Sequence, residues 1–178
     1  MIFEEALNKL VRDAVDLLLE EPGYTIKAKQ KGAPRPQGAY ASVDFLTSES
    51  IGWEQRIFEN NQQGVDLTET ISGLRNITLS INFYRGNAMD DSRKVRTALI
   101  RESIQSLFSS AGVGLVSRSE VRDLDEPLDD GWEQRSEFDL VLNTVGTDSD
   151  IVKSILTADI AGEFQARGLE YNFNVEVQ

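Results

Sequence analysis

Between residues 118 and 135 the chain reads RSEVRDLDEPLDDGWEQR. Six carboxylates, Glu120, Asp123, Asp125, Glu126, Asp129 and Asp130, crowd residues 120–130 of it, and carboxylate oxygens are the ligands that Mg²⁺ and Ca²⁺ take. Their spacing does not follow the D-x-[DN]-x-[DN]-G order of a calcium loop, and Pro127 interrupts the run, so the segment reads as a solvated acidic loop and no metal is assigned. Ser48, Ser50, Ser109 and Ser110 offer hydroxyl nucleophiles, but a serine needs a base, and the chain contains neither His nor Cys. No G-x-S-x-G, GxxxxGK[ST] or GxGxxG pattern occurs. The residues therefore point away from catalysis: no catalytic residue and no cofactor site is assigned, and the expected class is a protein that is not an enzyme.

The pentapeptide GWEQR occurs twice, at Gly52–Arg56 and Gly131–Arg135, and contains both tryptophans of the chain. The copies lie 79 positions apart, yet no helix or strand pattern corresponds at that offset, which argues against duplication. Each reads as the opening of a strand, with Trp and Gln on one face and Glu and Arg on the other. Two uses of the tryptophans stay open: burial in the core, as is common for large aromatics, or display to a neighbouring subunit, where Trp and Arg are enriched.

The elements around these motifs follow from hydrophobic period. Phe3, Leu7, Leu10, Ala14 and Leu17 recur at spacings of three and four and predict an amphipathic helix over about 2–21, stopped by Pro22-Gly23. GAPRPQGA, residues 32–39, is too rich in Pro and Gly for a helix or a central strand and reads as an extended arm. Ala41, Val43 and Phe45 alternate with polar neighbours, as do Ile77, Leu79, Ile81 and Phe83, then Phe138, Leu140 and Leu142, and finally Leu169 through Val177. Residues 53–72 fit two further strands turning at NNQQG, and 151–164 fits either helix or strand, with strand favoured in its second half. Val95, Leu99, Ile100, Ile104, Leu107 and Phe108 predict a second helix over 90–111. The expected fold is a single α+β domain, 1–178, an antiparallel β-sheet sandwich with two amphipathic helices packed on one face.

The order of these parts carries a resemblance. An N-terminal helix, APRPQGAYASVDF, a strand ending INFYR, a helix, and VRDLDEPLDDGWEQRSEFDLVL together resemble the neck or tail terminator proteins of tailed bacteriophages. The matching positions are Pro34, Arg35, Pro36, Gly38 and Tyr40, then Arg122, Asp123, Leu124, Trp132, Glu133, Arg135, Phe138, Asp139 and Leu140. The first GWEQR copy and residues 151–168 lie outside these motifs. The resemblance implies a homo-oligomeric ring, commonly hexameric, that caps the tail tube and meets the sheath and head–tail connector proteins in the virion neck. It implies subunit or partner contacts at Pro34, Arg35, Pro36, Tyr40, Arg122, Asp123, Trp132 and Arg135.

A net charge of −12 disfavours binding to the phosphate backbone and suits a channel wall that genomic DNA passes without sticking. A head-closure connector would share this physics. An acidic DNA mimic ranks below it, because acidic and basic residues are interspersed, as in DDSRKVRTALIRE. The acidic, amphipathic N-terminus and the lack of a long apolar run predict no leader and no membrane span, hence assembly in a host cytoplasm.

Overall fold

The computed structural model describes residues 2–32, 34–60, 66–128, 131–153, 160–166 and 169–175. In chain order the elements are α1 (Ile2–Leu19), β1 (Thr25–Lys27), β2 (Tyr40–Asn60), β3 (Asp66–Tyr84), α2 (Ala88–Ala98), α3 (Glu102–Ser110), β4 (Val113–Arg118), β5 (Arg122–Asp123), β6 (Glu126–Leu128), β7 (Gly131–Glu133), β8 (Arg135–Lys153), β9 (Ile160–Ala166) and β10 (Leu169–Val175). The turn residues 61–65, Asp129, Asp130, and the Leu156 and Ala158 of the ambiguous segment lie outside the described residues. The mixed α and β content agrees with the α+β expectation.

Two compact units form. One comprises Met1–Trp53 and Leu74–Gly146, the other Glu54–Gly73 and Thr147–Gln178. The main sheet has the order β1-β2-β3-β8-β4, with β5 also paired to β8. β4 and β5 run antiparallel to β8. β3 does so too, since Arg85 N–H reaches the Gln134 carbonyl while Asn143 reaches Asn76. β1 departs from the all-antiparallel expectation by running parallel to β2, Thr25 opposite Ala41 and Lys27 opposite Val43. A parallel return needs a crossover of about a dozen residues or more, and the loop carrying the Pro-rich arm supplies it.

The core of the first unit lies between the helices and one sheet face. Ala41 and Val43 of β2, Ile77, Leu79, Ile81 and Phe83 of β3, and Phe138, Leu140 and Leu142 of β8 all enter one buried cluster with the helices. Period two sends each of these sets to the same side, and each fully buried Leu, Ile or Phe contributes about 1.5–3 kcal/mol. α1 buries Leu7, Val11, Ala14, Val15 and Leu18, whereas Leu17 is exposed, so its apolar stripe is rotated from the expected one. Asn8 is buried within that stripe and donates to the Val43 carbonyl, which joins the helix to the sheet. Asp16 ends the helix by accepting from the backbone N–H groups of Gly23 and Thr25.

The single helix expected over 90–111 is two. At about 100° per residue, Ile104 and Phe108 of an unbroken helix would sit roughly 140–180° around from Val95 and Leu99. All four are fully buried, so the chain breaks at Leu99–Arg101 and resets the phase. Ser136 on β8 completes the packing by donating to the Ala88 carbonyl beneath α2.

In the second unit Arg56 of β2 pairs with Glu69 of β3 at 2.8 Å, and β9 lies antiparallel to β10 from Leu169↔Ala166 to Val175↔Ile160. The strand expected in the second half of 151–164 thus begins at Ile160, and the alternation from Leu169 is strand through Val175.

Candidate partner-binding face

The sheet face away from the helices carries the alternate residues: Tyr40, Ser42 and Asp44 on β2, Ser80, Asn82 and Tyr84 on β3, and Arg135, Glu137 and Asp139 on β8. Sequence periodicity predicts a solvated polar face, but Tyr40, Ser42, Ser80 and Asn82 are buried. The arm folds back against this end of the sheet. Arg35 Nε donates to Tyr40 Oη at 3.0 Å, and its Nη2 donates to Glu133 Oε2 at 2.9 Å. The bond to Tyr40, followed by attraction to Glu133, raises the Arg35 pKa above the ordinary guanidinium value.

Glu133 is the hub of this contact. Its side chain is only 2% exposed, and its second oxygen accepts from Arg85 Nε at 2.8 Å. Arg85 also donates to the Pro36 carbonyl at 2.8 Å, so one guanidinium ties the arm to the carboxylate. Reaching both, Arg85 adopts a left-handed backbone with φ of 61°, a conformation that costs about 1 kcal/mol or more outside glycine and is offset here by these bonds.

Aromatic stacking sets the floor. Tyr40 and Tyr84 stack with centroids 4.6 Å apart and planes 11° from parallel. The guanidinium carbons of Arg35 and Arg135 lie 5.5 and 5.1 Å from the Tyr84 centroid, within cation–π range.

Five of the eight expected contact residues, Pro34, Arg35, Pro36, Tyr40 and Arg135, line one cleft of about 480 Å³. The other three lie elsewhere. Arg122 on β5 is engaged within the chain, its Nη2 lying 2.9 Å from Glu137 and 2.8 Å from Asp139. The Asp139 hydrogen bond is the leading cause of its raised pKa. Asp123 accepts from the Asp125 N–H, and Asp125 accepts from the Arg135 N–H, so these acidic side chains order a turn. Among the described residues no group of three or more Asp and Glu side chains is placed to hold a metal. Trp132 stands on the β6–β7 ribbon opposite Pro127 and is 72% exposed. Glu133, Arg85 and Tyr84 were not among the expected contact residues. Glu133 lies in the recognised WE-R segment, but nothing in its neighbours announces two arginines from distant parts of the chain.

The two GWEQR copies share one outcome and differ in another. Gly52 has φ of 72° and Gly131 φ of 140°, both in the range that favours glycine. Each is followed by an exposed tryptophan, 100% for Trp53 and 72% for Trp132, which overturns burial in the core. Only the second copy opens a strand, since the first lies inside β2. In the second copy Glu133 is buried and Trp132 exposed, whereas Trp53, Glu54, Gln55 and Arg56 are all exposed.

No helix among the described residues is long and apolar enough to cross a membrane. No curated protein matches the chain. A sequence model of the family described as phage neck terminator protein matches residues 4–166, nearly the whole length over which the helix, arm and strands have been traced, and the chain belongs to that family.

Proposed function

We propose that this neck terminator works as a structural virion protein by assembling into a closed, hexameric ring that ends the tail tube and joins it to the head connector. The observation that carries the reading is the exposure of both tryptophans, each on a strand or ribbon and each following a positive-φ glycine. A wholly exposed indole forfeits a large hydrophobic contribution, and aromatic side chains of this kind anchor protein interfaces. Ile51, two positions before Trp53 on β2, is exposed as well. Rings close when one patch fits a different patch on the next copy, and Trp53 on β2 and Trp132 on the β6–β7 ribbon stand on different elements. Pro34, Arg35, Pro36, Tyr40, Arg122, Asp123 and Arg135 complete the contact set.

The partners of such a ring are further copies, the tail tube, the sheath where one exists, and the connector proteins. Its net charge of −12 lets genomic DNA pass through the channel without adhering. The work is done by surfaces, and no bond is made or broken.

Native mass spectrometry and negative-stain electron microscopy of the purified chain test this reading. A closed ring is expected, with tryptophan emission shifting to the blue as subunits associate and with Trp132→Ala or Trp53→Ala leaving monomers. A chain that stays monomeric both alone and with tail tubes sinks it.

A further inference from the structure

The cleft between the arm and the sheet has a charge opposite to that of the chain. Lys27, Lys29, Arg35 and Arg135 line it against a single lining carboxylate, Asp44, although the protein as a whole carries −12. Three of these cations have close partners. Lys27 is bonded to Glu5, Lys29 lies 2.7 Å from Asp44, and Arg35 is held by Tyr40 and Glu133.

Arg135 is the exception. Its Nη2 makes a long hydrogen bond of 3.2 Å to Asn82, and its Nη1 is 4.0 Å from Glu126, beyond hydrogen-bond reach. Its buried Nε has no hydrogen-bond partner. A guanidinium carries five N–H donors, and a buried donor without an acceptor costs about 1–3 kcal/mol. The Tyr84 ring lies beneath this group, its centroid 5.1 Å from the guanidinium carbon, and adds a cation–π contact that holds it at the cleft.

We propose that this cleft is a receptor for a carboxylate-bearing segment of a neighbouring protein chain in the assembled neck, with Arg135 as the principal contact. The proposal rests on the docking role above for the existence of a neighbour and adds the chemistry of what docks. A planar guanidinium matches a carboxylate with two parallel hydrogen bonds, and Lys27 and Lys29 add attraction at longer range. The cavity falls within the range of about 300–1,000 Å³ typical of binding pockets. Pro34 and Pro36 stiffen one wall, and the stacked tyrosines the floor, which reduces the ordering cost on binding. A duplex presents a charge about every 1.7 Å and meets the repulsion of the whole acidic chain, whereas an acidic peptide places a few carboxylates inside the cationic cleft alone.

The test uses the full chain and a fluorescein-labelled hexaglutamate peptide, read by anisotropy at low salt. Saturable binding is expected. Arg135→Ala should weaken it about tenfold, Arg135→Lys less, since the charge remains while the fork is lost. Lys29→Glu, at a position 75% exposed, should weaken it without endangering the fold. Arg93→Ala, a cation outside the cleft, should leave it unchanged. Absence of saturable binding, or binding indifferent to both Arg135→Ala and Lys29→Glu, overturns the proposal. So does displacement of the peptide by a single-stranded oligonucleotide of equal charge at lower concentration. Mass measurement separates the two readings: a ring that ignores the peptide removes the cleft assignment, and a chain that binds the peptide yet stays monomeric both alone and with tail tubes removes the ring.

Discussion

Arg35 donates to Glu133 across 98 positions of sequence, and the carboxylate that receives it is almost wholly buried. That pair decides where the Pro-rich arm lies. Without it the arm has one exposed and one half-buried proline and few apolar side chains to hold it against the sheet; with it, Arg85 and the Pro36 carbonyl complete a closed set of bonds.

Glu133→Gln should therefore be costly. An amide keeps one acceptor oxygen but turns its NH2 donor toward the other guanidinium and removes the charge, so about 1–3 kcal/mol of stability should be lost, discounted from a fully buried pair because both arginines are partly exposed. Glu54→Gln alters the same position of the other pentapeptide on an exposed surface, where a charged interaction is worth little, and should change stability by no more than about 1 kcal/mol. Urea midpoints of the two variants give the comparison.

Tyr84→Ala removes the stack with Tyr40 and the ring beneath both arginines. The expected loss is about 2–3 kcal/mol, combining stacking, cation–π attraction and lost burial. Tyr84→Phe keeps the ring and should cost less than about 1 kcal/mol. Equal losses in thermal unfolding would show that the hydroxyl, and not the stack, matters.

Arg101→Asp should stabilise the protein. Arg101 is the N-cap of α3, has an extended backbone with ψ of 144°, and makes no side-chain cap bond. An aspartate there can accept from the N–H groups of the first turn and suits the positive end of the helix, a gain of about 1 kcal/mol. A lower urea midpoint would mean that Arg101 serves another purpose.

Tyr24 should resist ionisation. Burial first, then the negative charge of Asp91, whose Oδ2 accepts the phenol proton at 3.1 Å, raise its pKa well above the ordinary tyrosine value. Folding favours the neutral phenol, so its contribution is complete below the unfolded pKa of about 10 and is lost as pH rises through the raised value. Ultraviolet titration should show an ionisation that appears only with alkaline unfolding and is missing from Tyr24→Phe. In Tyr24→Phe the stability should fall less steeply with pH above about 10.

Most of the secondary structure was legible in local pattern. Strands at Ile77–Phe83 and Phe138–Leu142 follow from alternation, and the break between α2 and α3 lies latent in the angular positions of Val95, Leu99, Ile104 and Phe108. β1 was not legible, because three residues are too few to show a period and its parallel partner is chosen by where the arm returns. At the cleft, Arg35, Tyr40 and Arg135 could be picked out by motif, whereas Tyr84 and the neighbouring Arg85, although they end the INFYR segment, could not be given roles, because these depend on strand register.

The repeated pentapeptide separates the two kinds of information. By itself GWEQR determines a glycine free to take positive φ, a bulky indole beside it, and a charge alternation suited to a strand. Both copies realise the first two, and both tryptophans end in solvent. Which glutamate becomes a buried hub was settled only by tertiary structure: Arg35 and Arg85 converge on Glu133, and a carboxylate leaves water only where opposite charges and hydrogen bonds replace the solvent it gives up.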